Sequence, residues 1–284
     1  MDDLWYSEFH TENVKFSIKI KNQIYSNKSE YQDISIYKSL EFGKFLTLDG
    51  VMMLTEKDEF IYHEMITHTA MAVNPTAKNV LVIGAGDGGV ARELSKYKNL
   101  KNIDIVEIDE EVVRVCKEFL PLTACGFDDE RVHIHFADGL KFIRRIENKY
   151  DIIIVDSTDP SGPGEVLFTK EFYGNCYKAL TENGIMINQH ESPFYNDDAK
   201  VMKDAHKRIY SVFPVSKIFQ AHIPTYPSGH WLFGFASKNL HPINNLQADI
   251  WNDFNIKTQY YNTNLHKGAF YLPNYVQEAL EEYE

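Results

Sequence analysis

The sequence predicts an α/β protein: a mostly parallel sheet covered by helices on both faces, preceded by a small antiparallel β-sheet. Two patterns point to it. From Asn79 onward, short strands rich in Val and Ile alternate with amphipathic helical stretches. Before Glu56, apolar and polar residues alternate at strand period between Asn, Gly and Asp turn signals. With 284 residues, 44% of them hydrophobic, the chain can bury a core without covalent staples.

The antiparallel region is expected over residues 14–55, where Phe16, Ile18 and Ile20 and then Ile34 and Ile36 share a face. A domain boundary is expected after residue 56, giving units 1–56 and 57–284. Lys57-Asp58-Glu59 opens a helix carrying Phe60, Ile61, Met65, Ile66 and Thr69, which ends before Pro75. Strands are expected at 80–83, 103–108, 132–136, 150–155 and 184–188. Helices are expected at 90–97, 110–119, 140–146 and 170–180, with a longer one at 197–210. Apolar runs at 215–223 and 230–236, separated by Pro224, Pro227 and Gly229, read as a closing hairpin. Glu278, Glu281, Glu282 and Glu284 suggest a solvated helix end.

Charge and cysteine usage narrow the function. Lys plus Arg total 29 and Asp plus Glu 41, a net charge of −12, which argues against nucleic acid and mildly favours cationic small partners. Cys116, Cys125 and Cys176 are odd in number and lack metal or redox spacing, so they read as reduced, buried thiols of a cytoplasmic protein. No apolar run is long enough to span a membrane, and Met1-Asp2-Asp3-Leu4-Trp5 lacks a secretory pattern.

The strand at 80–83 runs into Gly84-Ala85-Gly86-Asp87-Gly88-Gly89 and then a helical pattern. Glycines at 84, 86 and 89 let a nucleoside press on the backbone, and Glu107 ends the next strand at the spacing of a ribose-binding carboxylate. Asp87 disfavours a dinucleotide, since its charge would repel a pyrophosphate and attract a cationic aminoalkyl arm. An adenosyl sulfonium donor that has lost its carboxylate suits that turn best. Past the strand at 150–155, Asp156-Ser157-Thr158-Asp159-Pro160 places two carboxylates where such sheets keep their active sites, followed by a shaped Pro- and Gly-rich loop. His63-Glu64 with His68 is one residue too long for the HExxH zinc motif, so no metal is expected. Trp231 and Trp251 read as core or interface residues.

The segments Tyr31-Gln32-Asp33, Leu48-Asp49-Gly50, Glu59-Phe60-Ile61-Tyr62-His63-Glu64, Gly84-Ala85-Gly86-Asp87-Gly88-Gly89, Asp156-Ser157-Thr158-Asp159-Pro160 and Pro224-Thr225-Tyr226-Pro227-Ser228-Gly229 together resemble the spermidine synthases, the putrescine aminopropyltransferases, over nearly the whole chain. The resemblance implies a methyltransferase-like Rossmann domain after a small β-domain, assembled as a homodimer or homotetramer. It implies decarboxylated S-adenosylmethionine as co-substrate, no prosthetic group, and putrescine as acceptor.

By that resemblance Asp156 is the proton acceptor, and Asp159, with Ser157 and Thr158, binds the amine. His63 and Asp87 hold the aminopropyl or polyamine side. Gln32, Gly84, Gly86, Glu107, Asp138, Gly139 and Pro163 hold the nucleoside, while Tyr62, Gln189 and Tyr226 line the acceptor channel, with Trp5 as a further wall. Two departures stand out. Ala85 replaces the middle glycine of the turn, which ordinary backbone angles would tolerate, and His190-Glu191 lies near the channel and bears on which amine is preferred. A methyltransferase using the carboxylated donor and a non-catalytic polyamine or nucleoside sensor are the rival readings.

Overall fold

The computed structural model of the chain describes residues 4–158 and 162–281. A five-stranded antiparallel meander comes first: β1 (Trp5–Thr11), β2 (Val14–Lys28), β3 (Asp33–Ser39), β4 (Lys44–Leu48) and β5 (Val51–Thr55), paired in chain order. The sequence reading began this sheet one strand late. In β1 the usual pattern is reversed: Trp5 and Phe9 face solvent, whereas Tyr6 and Glu8 point inward. Glu8 can be buried because its carboxylate accepts the Met52 N–H at 2.6 Å.

Helix α1 (Glu59–Val73) follows and is buried almost all round, because one apolar cluster joins it both to the meander, through Ile34, Ile36 and Leu46, and to the second sheet, through Val80, Val82 and Ile154. That sheet comprises β6 (Asn79–Gly84), β7 (Asn102–Glu107), β8 (Val132–Phe136), β9 (Tyr150–Asp156), β10 (Leu180–Gln189), β11 (Val215–His222) and β12 (His230–Ser237). Its order is β11-β12-β10-β9-β6-β7-β8. The strands from β8 to β10 are parallel, and β12 pairs antiparallel with β10 and β11. This is the methyltransferase-like Rossmann arrangement, a small antiparallel sheet followed by a mostly parallel α/β sheet.

The helices between strands are α2 (Gly89–Ser95), α3 (Glu110–Phe119), α4 (Pro121–Ala124), α5 (Gly139–Ile143), α6 (Lys170–Ala179) and α7 (Asn196–Tyr210). The central parallel strands β6 and β9 read as unbroken apolar runs because both faces are covered. Val80, Val82, Ile152 and Ile154 join the cluster under α1 and α2, while Leu81, Ile83, Ile153 and Val155 join Phe172 and Tyr173 of α6 on the other face.

Three short helices close the chain: α8 (Ala248–Asp253), α9 (Thr263–Ala269) and α10 (Asn274–Glu281). In α10, Glu278 and Glu281 are exposed while Val276 and Leu280 are buried. Trp251 is core: it is buried, and its Nε1 donates to Tyr97 Oη at 2.7 Å. Among the described residues no helix is long and apolar enough to cross a membrane. Cys116 and Cys176 are buried, but Cys125 is exposed, against the expectation of three buried thiols.

Candidate active site

The order of the strands reverses at β6 and β9, the switch point where open α/β sheets bind ligands beyond their carboxyl ends. Gly84 at the end of β6 pairs with Asp156 at the end of β9, and the Ala85 N–H donates to the Asp156 carbonyl at 2.9 Å. Gly84 has φ +86°, and a Cβ there would lie 1.9 Å from the Asp156 carbonyl oxygen, so only glycine lets the two strand ends meet. Ala85 departs from expectation: its φ is +64°, a left-handed angle costly for a residue with a Cβ.

A cavity of about 280 Å³ opens above this junction. On one flank it is bounded by Glu107 at the tip of β7, by Asp138 and Gly139 beyond β8, and by Gln32 from the meander. On the other flank lie Gln189 and Glu191 at the end of β10, and Tyr226 and Trp231. Asp87, Asp156, Ser157, Thr158, Tyr62 and His63 line it between these flanks, with Gly84 and Gly86 beneath. The Pro- and Gly-rich loop contributes Gly164, Val166 and Leu167 from a 3₁₀ turn over Gly162–Phe168. Asp159 lies outside the described residues, and of Pro163 only the backbone is described. Trp5 is no wall of the cavity; it is 55% exposed on the edge strand.

The carboxylates differ in their surroundings. Tyr62 Oη donates to Asp156 Oδ1 at 2.6 Å, while Asp156 Oδ2 is buried without a hydrogen-bond partner. Burial and the nearby charge of Asp87 push the Asp156 carboxyl up to about 7, against the opposing pull of His63 and the Tyr62 hydroxyl. Asp87 goes the other way. Burial raises it, but His63 and the Gly89 N–H, which donates to Oδ1 at 2.6 Å, hold it below the ordinary carboxylate range. His63 Nε2 lies 3.3 Å from Asp87 Oδ1. Two carboxyls in one site with opposite proton affinities suit one to take a proton and the other to hold a cation.

Glu107 is likewise pushed up to about 7, chiefly by burial, with the Asp109 N–H at 2.9 Å opposing. A Cβ on Gly86 would come within 3.0 Å of its Oε2, so the bare turn leaves space for this side chain. Gln32 donates from Nε2 to Asp109 Oδ2 at 2.9 Å, and Asp109 caps α3, so the meander is tied to the Glu107 flank. Asp138 caps α5 by accepting the Lys141 N–H. Gln189 and Glu191 bond each other twice, Gln189 Nε2 to Glu191 Oε1 at 3.0 Å and the Glu191 N–H to Gln189 Oε1 at 3.1 Å. Tyr226 Oη donates to the Met53 carbonyl at 2.6 Å, and Thr225 beside it donates from both N–H and hydroxyl to Asp58 Oδ2.

His63, Asp87 and Asp156 bring ligand-type atoms within 4.8 Å of one another, yet a metal ion there would have to displace the His63–Asp87 contact. The other members of the His63-Glu64-His68 pattern are structural. His68 is sandwiched between Glu93 at 2.9 Å and Tyr97 Oη at 2.7 Å, and Glu64 accepts the N–H groups of Gln259, Tyr260 and Tyr261. Sequence reasoning did not name Glu8, His10 and Asp198, which also line the cavity. For Glu8 the signal was a carboxylate at the inward phase of a strand, between Tyr6 and His10.

A spermine/spermidine synthase domain matches residues 59–248, and a spermidine synthase tetramerisation domain matches residues 4–56. The chain belongs to the spermine/spermidine synthase family. Of the cavity-lining residues named above, the synthase-domain match spans all but Glu8, His10, Gln32 and Met53, which fall in the N-terminal match. Relatives include the polyamine aminopropyltransferase of Alkaliphilus oremlandii (strain OhILAs), 66% identical over 282 residues and 99% of each chain. That of Clostridium perfringens (strain 13 / Type A) is 66% identical over 281 residues and 98% of each. Among solved structures, a spermidine synthase in complex with the transition state analogue AdoDATO superposes with a TM-score of 0.95 at 42% identity, covering 98% of this chain and 95% of that one. The spermidine synthase from Thermotoga maritima superposes at 0.92 with 40% identity, covering 98% and 94%.

Proposed function

We propose that the protein is a spermidine synthase, transferring the aminopropyl group of decarboxylated S-adenosylmethionine to putrescine and releasing spermidine and methylthioadenosine. The observation that carries this reading is the pair of carboxyls at the switch point, Asp87 held anionic by His63 and Asp156 presenting a free, buried oxygen. A donor arm with an ammonium and no carboxylate complements the first, and an amine that must lose a proton complements the second.

In the proposed reaction the neutral amine nitrogen attacks the methylene carbon bonded to the sulfonium. The N–C bond forms as the C–S bond breaks, its electron pair stays on sulfur as a thioether, and the amine proton passes to Asp156 Oδ2. Tyr62 donates to Oδ1, which leaves Oδ2 as the carboxylate oxygen without a partner. The sulfonium is already a good leaving group, so alignment of nitrogen, carbon and sulfur supplies much of the acceleration. Glu107 takes the ribose hydroxyls; Gln32, Gly84, Gly86, Asp138, Gly139 and Pro163 take the rest of the nucleoside. His63 and Asp87 hold the aminopropyl arm. Ser157, Thr158, Asp159, Gln189 and Tyr226 take the acceptor, with Tyr62 as one wall.

This reading includes a domain boundary at residues 56 and 57, a homodimer or homotetramer assembled through the N-terminal sheet, as the tetramerisation match supports, and a cytoplasmic location. The test is a matrix of donors, decarboxylated and intact S-adenosylmethionine, against acceptors, putrescine, cadaverine and spermidine, read by product mass. Spermidine and methylthioadenosine in the putrescine well with the decarboxylated donor are expected. Methylated product from the intact donor, or no turnover with tight methylthioadenosine binding, would contradict it.

A further inference from the structure

A line of four charged groups runs from the surface of α2 to the cavity. Arg92 donates from Nη1 and Nη2 to the two oxygens of Glu59, at 2.7 and 2.9 Å. Glu59 Oε2 lies 2.5 Å from His63 Nδ1, one turn further along α1, and His63 Nε2 lies 3.3 Å from Asp87 Oδ1. The exposed fractions of the Arg92, Glu59, His63 and Asp87 side chains are 18%, 9%, 3% and 17%. Burying charge in this way is costly unless every member is paired, and apolar residues could fill a helix interface at no such cost.

The ring geometry adds a constraint. Each nitrogen of His63 faces a carboxylate oxygen, and a neutral imidazole has only one N–H to offer. With either tautomer one lone pair would point at a carboxylate, so the arrangement is satisfied only by an imidazolium. α2 also makes room for the ring: a Cβ on Gly89 would lie 2.3 Å from His63 Cε1 and Nδ1.

We propose that Glu59 and Arg92 are positioning residues of the transfer reaction, holding a His63 imidazolium against Asp87 so that Asp87 stays anionic for the donor arm and Asp156 alone takes the acceptor's proton. The inference rests on the proposed aminopropyl transfer and deepens it.

The groups facing His63 are Glu59 and Tyr62 from α1, Asp87 from the turn after β6, Asp156 from β9 and, through Glu59, Arg92 from α2. Burial opposes the charged ring, but Asp87 and Glu59 outweigh it and raise its proton affinity well above that of free histidine. A fixed cation beside Asp156 also lowers that carboxyl's proton affinity. Removing the Glu59 charge should therefore let His63 lose its proton, raise the proton affinity of Asp156, and weaken Asp87 as an anchor.

The test uses the full-length protein, its Glu59→Gln variant and, for rescue, Glu59→Asp. Ring nitrogens of His63 are observed by NMR in histidine-labelled protein, assigned against His63→Gln, while kcat/KM is measured from pH 5.5 to 9. In the wild type both ring nitrogens are expected to stay protonated through pH 8. In Glu59→Gln the ring should titrate near neutrality and the acid limb of kcat/KM should move up by about one pH unit or more. KM for the donor should rise about tenfold while kcat at alkaline pH changes far less, and Glu59→Asp should recover part of each effect. A wild-type His63 that is neutral at pH 7, or an unmoved acid limb in Glu59→Gln with normal melting, would overturn the inference. If Glu59→Gln does not fold, Arg92→Lys, which breaks the two-pronged contact, must shift both readouts in the same direction, and no shift would overturn it. A wild type that makes no spermidine would overturn the proposed reaction, while the NMR titration would still decide the state of His63.

Discussion

At the level of single residues, the place of Asp156 on the cavity was legible because a carboxylate ends an apolar strand, whereas its unpaired Oδ2 was not. Replacing Asp156 by Asn removes the proposed proton acceptor while keeping the shape. We expect kcat to fall by about 10² to 10⁴, in steady-state assays of methylthioadenosine release. The same substitution should stabilise the fold at alkaline pH. The Asp156 carboxyl is raised from its ordinary value to about 7 in the folded protein, so it contributes stability below about pH 4 that is lost as pH rises towards 7. Asp156→Asn should melt above the wild type at pH 8, with the gap narrowing at pH 5; equal melting temperatures at pH 8 would show that the carboxyl is not destabilised by burial.

Ala85 was misjudged, because nothing in a Gly-rich turn marks which of its positions has positive φ. Ala85→Gly should raise unfolding free energy in urea by up to about 1 kcal/mol by relieving that left-handed angle. The pairings of Glu59 and Glu8 were also hidden, since a charge in sequence reads as solvated until its partner is placed.

Among the elements, α1 carries more of the site than its length suggests. The residue preceding its first turn, Asp58, ties down Thr225 beside Tyr226, while Tyr62 and His63 face the cavity and Glu64 reaches the C-terminal segment. Its start was readable from Lys57-Asp58-Glu59, but helical periodicity could not show that both sides would be covered. The Glu64 carboxylate, itself buried, accepts three backbone N–H groups from residues that precede α9, and loss of those bonds would leave the buried Tyr261 N–H unpaired. Glu64→Ala should therefore destabilise the protein by about 1 to 3 kcal/mol in chemical denaturation. A change below about 1 kcal/mol would mean that water satisfies those groups. Helices α8 and α9 escaped the sequence reading because α8 buries only Trp251 and α9 only His266 and Ala269, so no apolar period marks them.

Across the whole molecule, alternating strands and helices announced the second sheet, and the strand-period residues announced the first. What the pattern did not contain is the way one apolar cluster joins them through α1, or the way β1 and the ends of β4 and β5 close over the Rossmann cleft with Glu8, Leu48 and Met52. Those contacts join residues far apart in the chain, and no local period encodes them. The cleft's combined charge predicts a pH profile. With Asp156 titrating near 7, kcat/KM should fall about tenfold per unit below that pH and level off above it, until other groups titrate. An activity that is flat from pH 5.5 to 8 would remove Asp156 from the proton transfer.

The acidic cleft around Asp87 should favour a donor arm without its acid group. Calorimetric titration of the protein with decarboxylated and intact S-adenosylmethionine at pH 8 tests it most directly. The decarboxylated donor should bind at least about tenfold tighter, because a carboxylate brought beside Asp87 costs upwards of about 1.4 kcal/mol. Equal affinities, or a preference for the intact donor, would contradict it.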